Sequence, residues 1–354
     1  MRCAALSAWS LWKSSFLTDC RRVSSSKTSN RSKTNSRTRP MHLLKINARL
    51  PQPKLSMSLT DPLGAVGRVN KMVRDVDARY VTLKSQVAGL FSTIPVATGN
   101  AEAGNYYYDF SAYRASTFFD ELQRILDDQL LEGDDFTHGR MWASSYVSDA
   151  MYAGTQKANL DLSDLSSAYK DSRPLAEILY SQPYLDRLQL AYTRTYNDWG
   201  GLSDYTRQQV AEVITAGIAN GDAPGVVEQK IADRMDVSRS YARSIAQTEI
   251  TNTLREANRR EVKEAQVTLG MDTIMLWQSA LMKTTRVNHA ARHGKYYTPE
   301  EIDEFYSEGA NRRNCHCSQT PALVMDGKPV ILERTQEKLD KQREAWQGAH
   351  KKAA

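Results

Sequence analysis

A chain of 354 residues, 41% of them hydrophobic, can bury a sizeable core and accommodate two compact units with tails, while no run approaches the roughly 18 apolar residues of a membrane helix. The net charge of +6 is local: residues 1–40 hold nine Lys/Arg against one acid, Asp19, leaving −2 for the remainder, so global basicity gives no case for nucleic-acid binding. Four cysteines in a chain this long exclude a disulfide framework, Cys315 and Cys317 sit too close for an easy mutual disulfide, and a reducing cytoplasm is the natural compartment.

Residues 1–60 read as a disordered leader. Its first 40 residues are basic and rich in Ser and Thr, which fits sequence upstream of a true start at Met41 or Met57, a basic arm that touches DNA, or a transit peptide. Pro51 and Pro53 keep residues 41–60 extended. From Asp61 helical periodicity dominates. Val66, Val69, Val73, Val76, Tyr80, Leu83, Val87 and Leu90 form one stripe, with Asp61-Pro62 as start signal and Pro95 as stop. A second helix is expected over Asp109–Leu131 and a third from Asp135 to about Ala153, with residues 154–172 a loop or short helix. Pro183 opens a helix ended by Gly200-Gly201. The cluster Tyr106, Tyr107, Tyr108, Phe110 and Tyr113 is expected to pack between helices.

Residues 202–265 predict three helices joined by tight turns at Gly221 and at Ser238, read as an N-cap. After Gly270, Thr273–Trp277 is a strand, Pro299–Tyr306 a short acidic helix, and Ser318–Val324 a closing strand. Residues 325–354 read as a turn and a charged, solvated helical tail. The expected fold is α-dominated (α+β): a helical region over 61–200, then a helical bundle with a small α+β module over 201–324.

Several side chains carry candidate chemistry. His289 and His293 are four apart, and Cys315 and Cys317 could add thiolates to make a tetrahedral zinc set, with His316 as a spare. The alternative is that the histidine hydrogen-bonds internally and the cysteines pack as small hydrophobes, with no cofactor. Glu249 falls on the small-residue stripe Ala242, Ala246, Thr253, Ala257 and needs a partner if buried. Arg286 is the expected one, giving a structural ion pair and no catalytic residue. Lys283, Arg286, Arg292 and Lys295, followed by Arg312 and Arg313, form a candidate patch for non-specific phosphate contacts.

The order Ala246-Gln247-Thr248-Glu249, Trp277-Gln278-Ser279, Thr285-Arg286-Val287-Asn288-His289, His293-Gly294-Lys295 and Asn314-Cys315-His316-Cys317 resembles the C-terminal module of Mu-protein-F-like phage head-morphogenesis proteins. It departs at Gln247, where that family has arginine, and at Met282-Lys283, where it has an acid. The resemblance implies a minor capsid protein inside the head near the portal, present in host cytoplasm during assembly. The implied partners are portal, scaffold or major capsid protein and packaged double-stranded DNA, with a role at ejection. Two competing readings are a virion- or prophage-borne toxin enzyme centred on His289, Arg286 and Glu249, and a zinc-stabilised nucleic-acid-binding module.

Overall fold

In the computed structural model, residues 50–99, 106–132 and 141–351 are described; the readings of residues 1–49 and of the start of the Asp135 helix lie outside them. Apolar residues at helical spacing become helices along most of the chain. Helix α1 (Val66–Phe91) buries Val69, Met72, Val76, Tyr80, Leu83, Val87 and Phe91. This stripe is rotated slightly from the expected one, since Val66 is exposed. Asp61 still acts at its start, accepting from the amides of Ala65 and Val66. A short hairpin follows, β1 (Val96–Thr98) against β2 (Tyr106–Tyr108). Helix α2 (Ala112–Leu130) is capped by Ser111.

The aromatic cluster divides. Phe110 meets Phe118 and Phe119 edge-on, and Tyr108 packs on Phe91 and donates its hydroxyl to the Asp222 carbonyl. Tyr107 and Tyr113 face solvent.

Helix α3 (Ser144–Leu165) carries the expected third helix on past Ala153, and α4 (Ser167–Ser172) is a short helix, so both occupy the stretch 154–172 expected as a loop or short helix. Their polar residues mislead because they are buried in contacts, not solvated: Thr155, Asn159 and Asp161 are all buried. After α5 (Leu175–Tyr180), α6 runs without a break from Gln182 to Asn220, with Ser181 as its cap and Pro183 in its first turn. Gly200 and Gly201 therefore do not end it. Each glycine costs roughly 1 kcal/mol in a helix interior, less than the roughly 1.5–3 kcal/mol gained by burying a large apolar side chain. Trp199 and Leu202 on either side are both buried. The real stop is Gly221, in the left-handed conformation at φ 66°.

Pro224 opens α7, which continues to Leu269. Ser238 is not a cap but a buried mid-helix residue, its hydroxyl 2.6 Å from that of Tyr80 and 2.5 Å from that of Thr206. The expected bundle of three short helices is thus two long ones. Helices α1, α3 and α6 all pack along α7, which serves as the axle of the fold.

Beyond Gly270 comes a four-stranded antiparallel sheet of order β4-β3-β5-β6: β3 (Thr273–Gln278), β4 (Tyr296–Tyr297), β5 (Ser318–Met325) and β6 (Lys328–Pro329). Strand β3 pairs along its length with β5, from Thr273↔Leu323 to Gln278↔Ser318. Between strands lie the single turn α8 (Val287–Ala290) and helix α9 (Pro299–Ser307), the latter closed by a Thr298–Glu301 capping box. The tail helix α10 (Glu333–Lys351) is docked as well as charged. Leu339 and Trp346 are buried, and Trp346 donates to the Met282 carbonyl. Residues 50–60, expected in the disordered leader, are also tied down: the Ser56 amide donates to Gln278, and the Leu281 amide to Leu59. The segments expected at 61–200, 201–324 and 325–354 share one unit, 49–354, and α6 passes through the first boundary. No helix among the described residues is long and apolar enough to cross a membrane.

Candidate metal centre and motif cluster

The sequence motifs meet where the sheet module sits on α7. Asn314 adopts the left-handed conformation at φ 49°, which asparagine tolerates better than most residues. Its amide donates to Thr248 Oγ1 and its side chain accepts from Ser244. Gln247 Nε2 donates to His316 Nε2 at 2.6 Å. The Gln247-Thr248 and Asn314–Cys317 motifs therefore form one interface, and His316 is committed to it. Trp277 donates to Ser279 Oγ, which in turn donates to the His289 carbonyl at 2.6 Å. The Thr285 hydroxyl closes the neighbouring turn onto the Ala280 carbonyl. These contacts fix the turn that presents His289.

Three of the four expected metal ligands come together. His289 Nδ1 lies 3.4 Å from Cys315 Sγ and 3.7 Å from Cys317 Sγ, and all three residues are buried. His293 does not join them. Its Nδ1 accepts from the Ser279 amide and its Nε2 meets Gln342, so it anchors α10 to the sheet instead. Burial, with Arg343 nearby, lowers its pKa and favours the neutral ring.

Arg255 is the residue that spacing did not reveal. It is fully buried, donates Nη1 to the Cys315 carbonyl at 2.6 Å, and stacks its guanidinium 4.6 Å from the Tyr306 ring centre. Nothing in its spacing marked it, since its burial comes from the sheet module packing on α7. Burial pushes the Cys315 thiol up, but Cys317, Arg255 and His289 outweigh it and hold Cys315 well below the ordinary thiol range. Burial and the charge on Cys315 push Cys317 well above that range. The buried Arg255 cation therefore lies beside the sulfur whose thiolate form is the more favoured of the two.

The expected Glu249–Arg286 pair does not form. Glu249 accepts from Thr195 Oγ1 at 2.5 Å and faces Arg194 at 3.7 Å, both on α6. Arg286 instead holds the loop before the cysteines, donating to the Asn311 and Arg313 carbonyls, with Nη1 3.1 Å from His289 Nε2. The physical reason is direction: Glu249 lies on the α7 face that meets α6, whereas Arg286 lies in the sheet module. A toxin-like triad of His289, Arg286 and Glu249 is accordingly not assembled.

The basic patch is also thinned. Arg292 is taken up by rings, 3.9 Å from the Phe305 centre and 4.9 Å from that of Tyr297, and Arg286 is committed to carbonyls. Lys283, Lys295, Arg312 and Arg313 remain exposed, and Arg313 lies over Tyr241.

Residues 208–320, about a third of the chain, match the family described as Phage Mu protein F like protein. No curated protein and no solved structure matches the chain. The match runs from the last turns of α6 through α7 to β5, so it spans the interface where the motifs meet. Residues 208–320 thus carry a region similar to the Mu-protein-F-like domain, the domain of a phage head-morphogenesis family.

Proposed function

We propose that the chain is a non-enzymatic minor capsid protein held inside the head beside the portal, in contact with portal, scaffold or major capsid protein and with packaged DNA. The observation that carries this reading is the family match over 208–320, whose motif residues are spent on internal contacts. Residues spent in this way tie the sheet module to α7 and suit a rigid body for assembly. Arg312, Arg313, Lys283 and Lys295 are the cations available to phosphates, without base specificity.

Mass spectrometry of purified particles, combined with cross-linking, tests the location. The expected result is a low-copy head component cross-linked to the portal protein; a chain absent from particles overturns the reading. For DNA, Arg312→Glu with Arg313→Glu is expected to weaken duplex binding and flatten its salt dependence by about one to two charges. An unchanged salt slope removes these two arginines from the contact.

A further inference from the structure

We propose that His289, Cys315 and Cys317 form a zinc site with three protein ligands and one open position. The first observation is geometric. A tetrahedral ion with Zn–S near 2.3 Å and Zn–N near 2.0–2.1 Å places its sulfur and nitrogen ligands roughly 3.6 Å apart. The two nitrogen–sulfur distances here are 3.4 and 3.7 Å, and the three ligand atoms all lie within 4.8 Å of one another. Two thiolates and an imidazole are the donor set that selects zinc over harder cations.

The second observation is the setting. A cavity of about 310 Å³ lies against all three ligands and is also lined by Gln247, Thr285 and Arg286. A fourth, exchangeable ligand would enter from there. Two thiolates neutralise the ion, so the nearby Arg255 and Arg286 cations favour an anionic fourth ligand such as hydroxide or a carboxylate.

One contact opposes the site and sharpens its test. A guanidinium only donates, so Arg286 Nη1 at 3.1 Å requires His289 Nε2 to accept, leaving the ring proton on Nδ1. Zinc at Nδ1 requires that proton to move to Nε2, where it would face the Arg286 donor. Arg286 must then turn aside, and its two carbonyl acceptors on Asn311 and Arg313 keep it anchored when it does. The exchange sets one lost hydrogen bond against three metal bonds. Both sulfurs must bind as thiolates, so affinity falls as pH falls.

The test uses the full chain with Cys3→Ser and Cys20→Ser, its remaining thiols verified as reduced. One zinc per chain is expected by elemental analysis. Cobalt(II) substitution should give an intense thiolate charge-transfer band with tetrahedral visible bands, a readout that needs no further variant. Cys315→Ser, Cys317→Ser and His289→Gln should each weaken zinc binding more than 100-fold, while His293→Gln leaves it unchanged. Arg286→Gln, which offers Nε2–H an acceptor, should tighten binding on the order of tenfold. Absence of stoichiometric metal, cobalt without a thiolate band, or binding that survives loss of both cysteines overturns the site. Weaker binding in Arg286→Gln overturns Nδ1 as the ligand atom.

Discussion

The two halves of α7 solve different problems with the same backbone. Between Val227 and Ala246 the helix buries a stripe (Val227, Ile231, Met235, Ser238, Ala242, Ile245, Ala246) and leaves the remainder to water. Between Glu249 and Ala265 burial extends around much of the helix, and the buried set includes Glu249, Arg255, Arg259 and Glu261. Each of these charges faces a different neighbour: Glu249 meets Arg194 of α6, Arg255 the Cys315 carbonyl, Arg259 Asp303 of α9, and Glu261 Arg173 after α4. The first half adheres by apolar area and a buried Ser238–Tyr80–Thr206 hydroxyl cluster, with solvent-facing ion pairs to α1 at its rim. The second is enclosed by helices on one side and the sheet on the other, and charge pairing decides which neighbour sits where. Buried pairs of this kind contribute specificity of arrangement more than net stability.

The largest break in that comparison is expected at Glu261, which accepts from Tyr169 at 2.8 Å and Arg173 at 2.9 Å and has Arg187 at 4.0 Å. Glu261→Ala strands Arg173 and a buried hydroxyl and should cost about 3–5 kcal/mol, read as a lower midpoint in urea. Next comes Gly154, where α3 crosses the enclosed half. An added Cβ would lie 2.8 Å from Ala257 Cβ and closer still to the Leu254 carbonyl oxygen, which is backbone and cannot turn away. Gly154→Ala should therefore cost about 1–3 kcal/mol by overpacking, in the same assay.

The smallest effect is expected at Glu249 and has the opposite sign. Burial raises its carboxyl pKa, and Arg194 and the Thr195 hydroxyl only partly offset this. A folded-state pKa above the unfolded value means stability present at low pH is lost as pH rises through it. Glu249→Gln has no such loss. It should melt slightly higher than the parent at pH 8, with the advantage shrinking toward pH 4. A variant that melts lower at pH 8 would show that the Arg194 contact outweighs burial.

Much of the architecture was legible. The Gly221-Asp222-Ala223-Pro224 break and the strands after Gly270 follow from local signals that nothing in the fold overrides. The Asp61-Pro62 signal acts from ahead of the helix, which begins at Val66, with Asp61 accepting from the Ala65 and Val66 amides. Three local signals were overridden. Gly200-Gly201 stays helical because Trp199 and Leu202 are buried beside it. Ser238 is inside because two hydroxyls, on Tyr80 and Thr206, satisfy it. Residues 154–165 are helical although polar, because that face meets α7 and is not in water.

At the site, composition and order were enough to place His289, Cys315 and Cys317 among the candidate ligands, since few residue types can bind a soft metal. Which histidine joins the sulfurs was a tertiary decision. Equal spacing along a helix would have set His289 and His293 on one face, but α8 ends at Ala290, before His293, whose ring turns to the Ser279 amide and to Gln342 of α10. Pairing of buried charges was decided at the same level. Glu249 and Arg286 have the right chemistry for each other, and only the face on which each emerges gives Glu249 to Arg194. Sequence alone thus determined the helical class, the likeness of residues 208–320 to the Mu-protein-F-like family and the reactive residue types, all carried by local pattern and residue chemistry. The partners of each buried charge depended on how long-range packing oriented α7, which no spacing along one chain encodes.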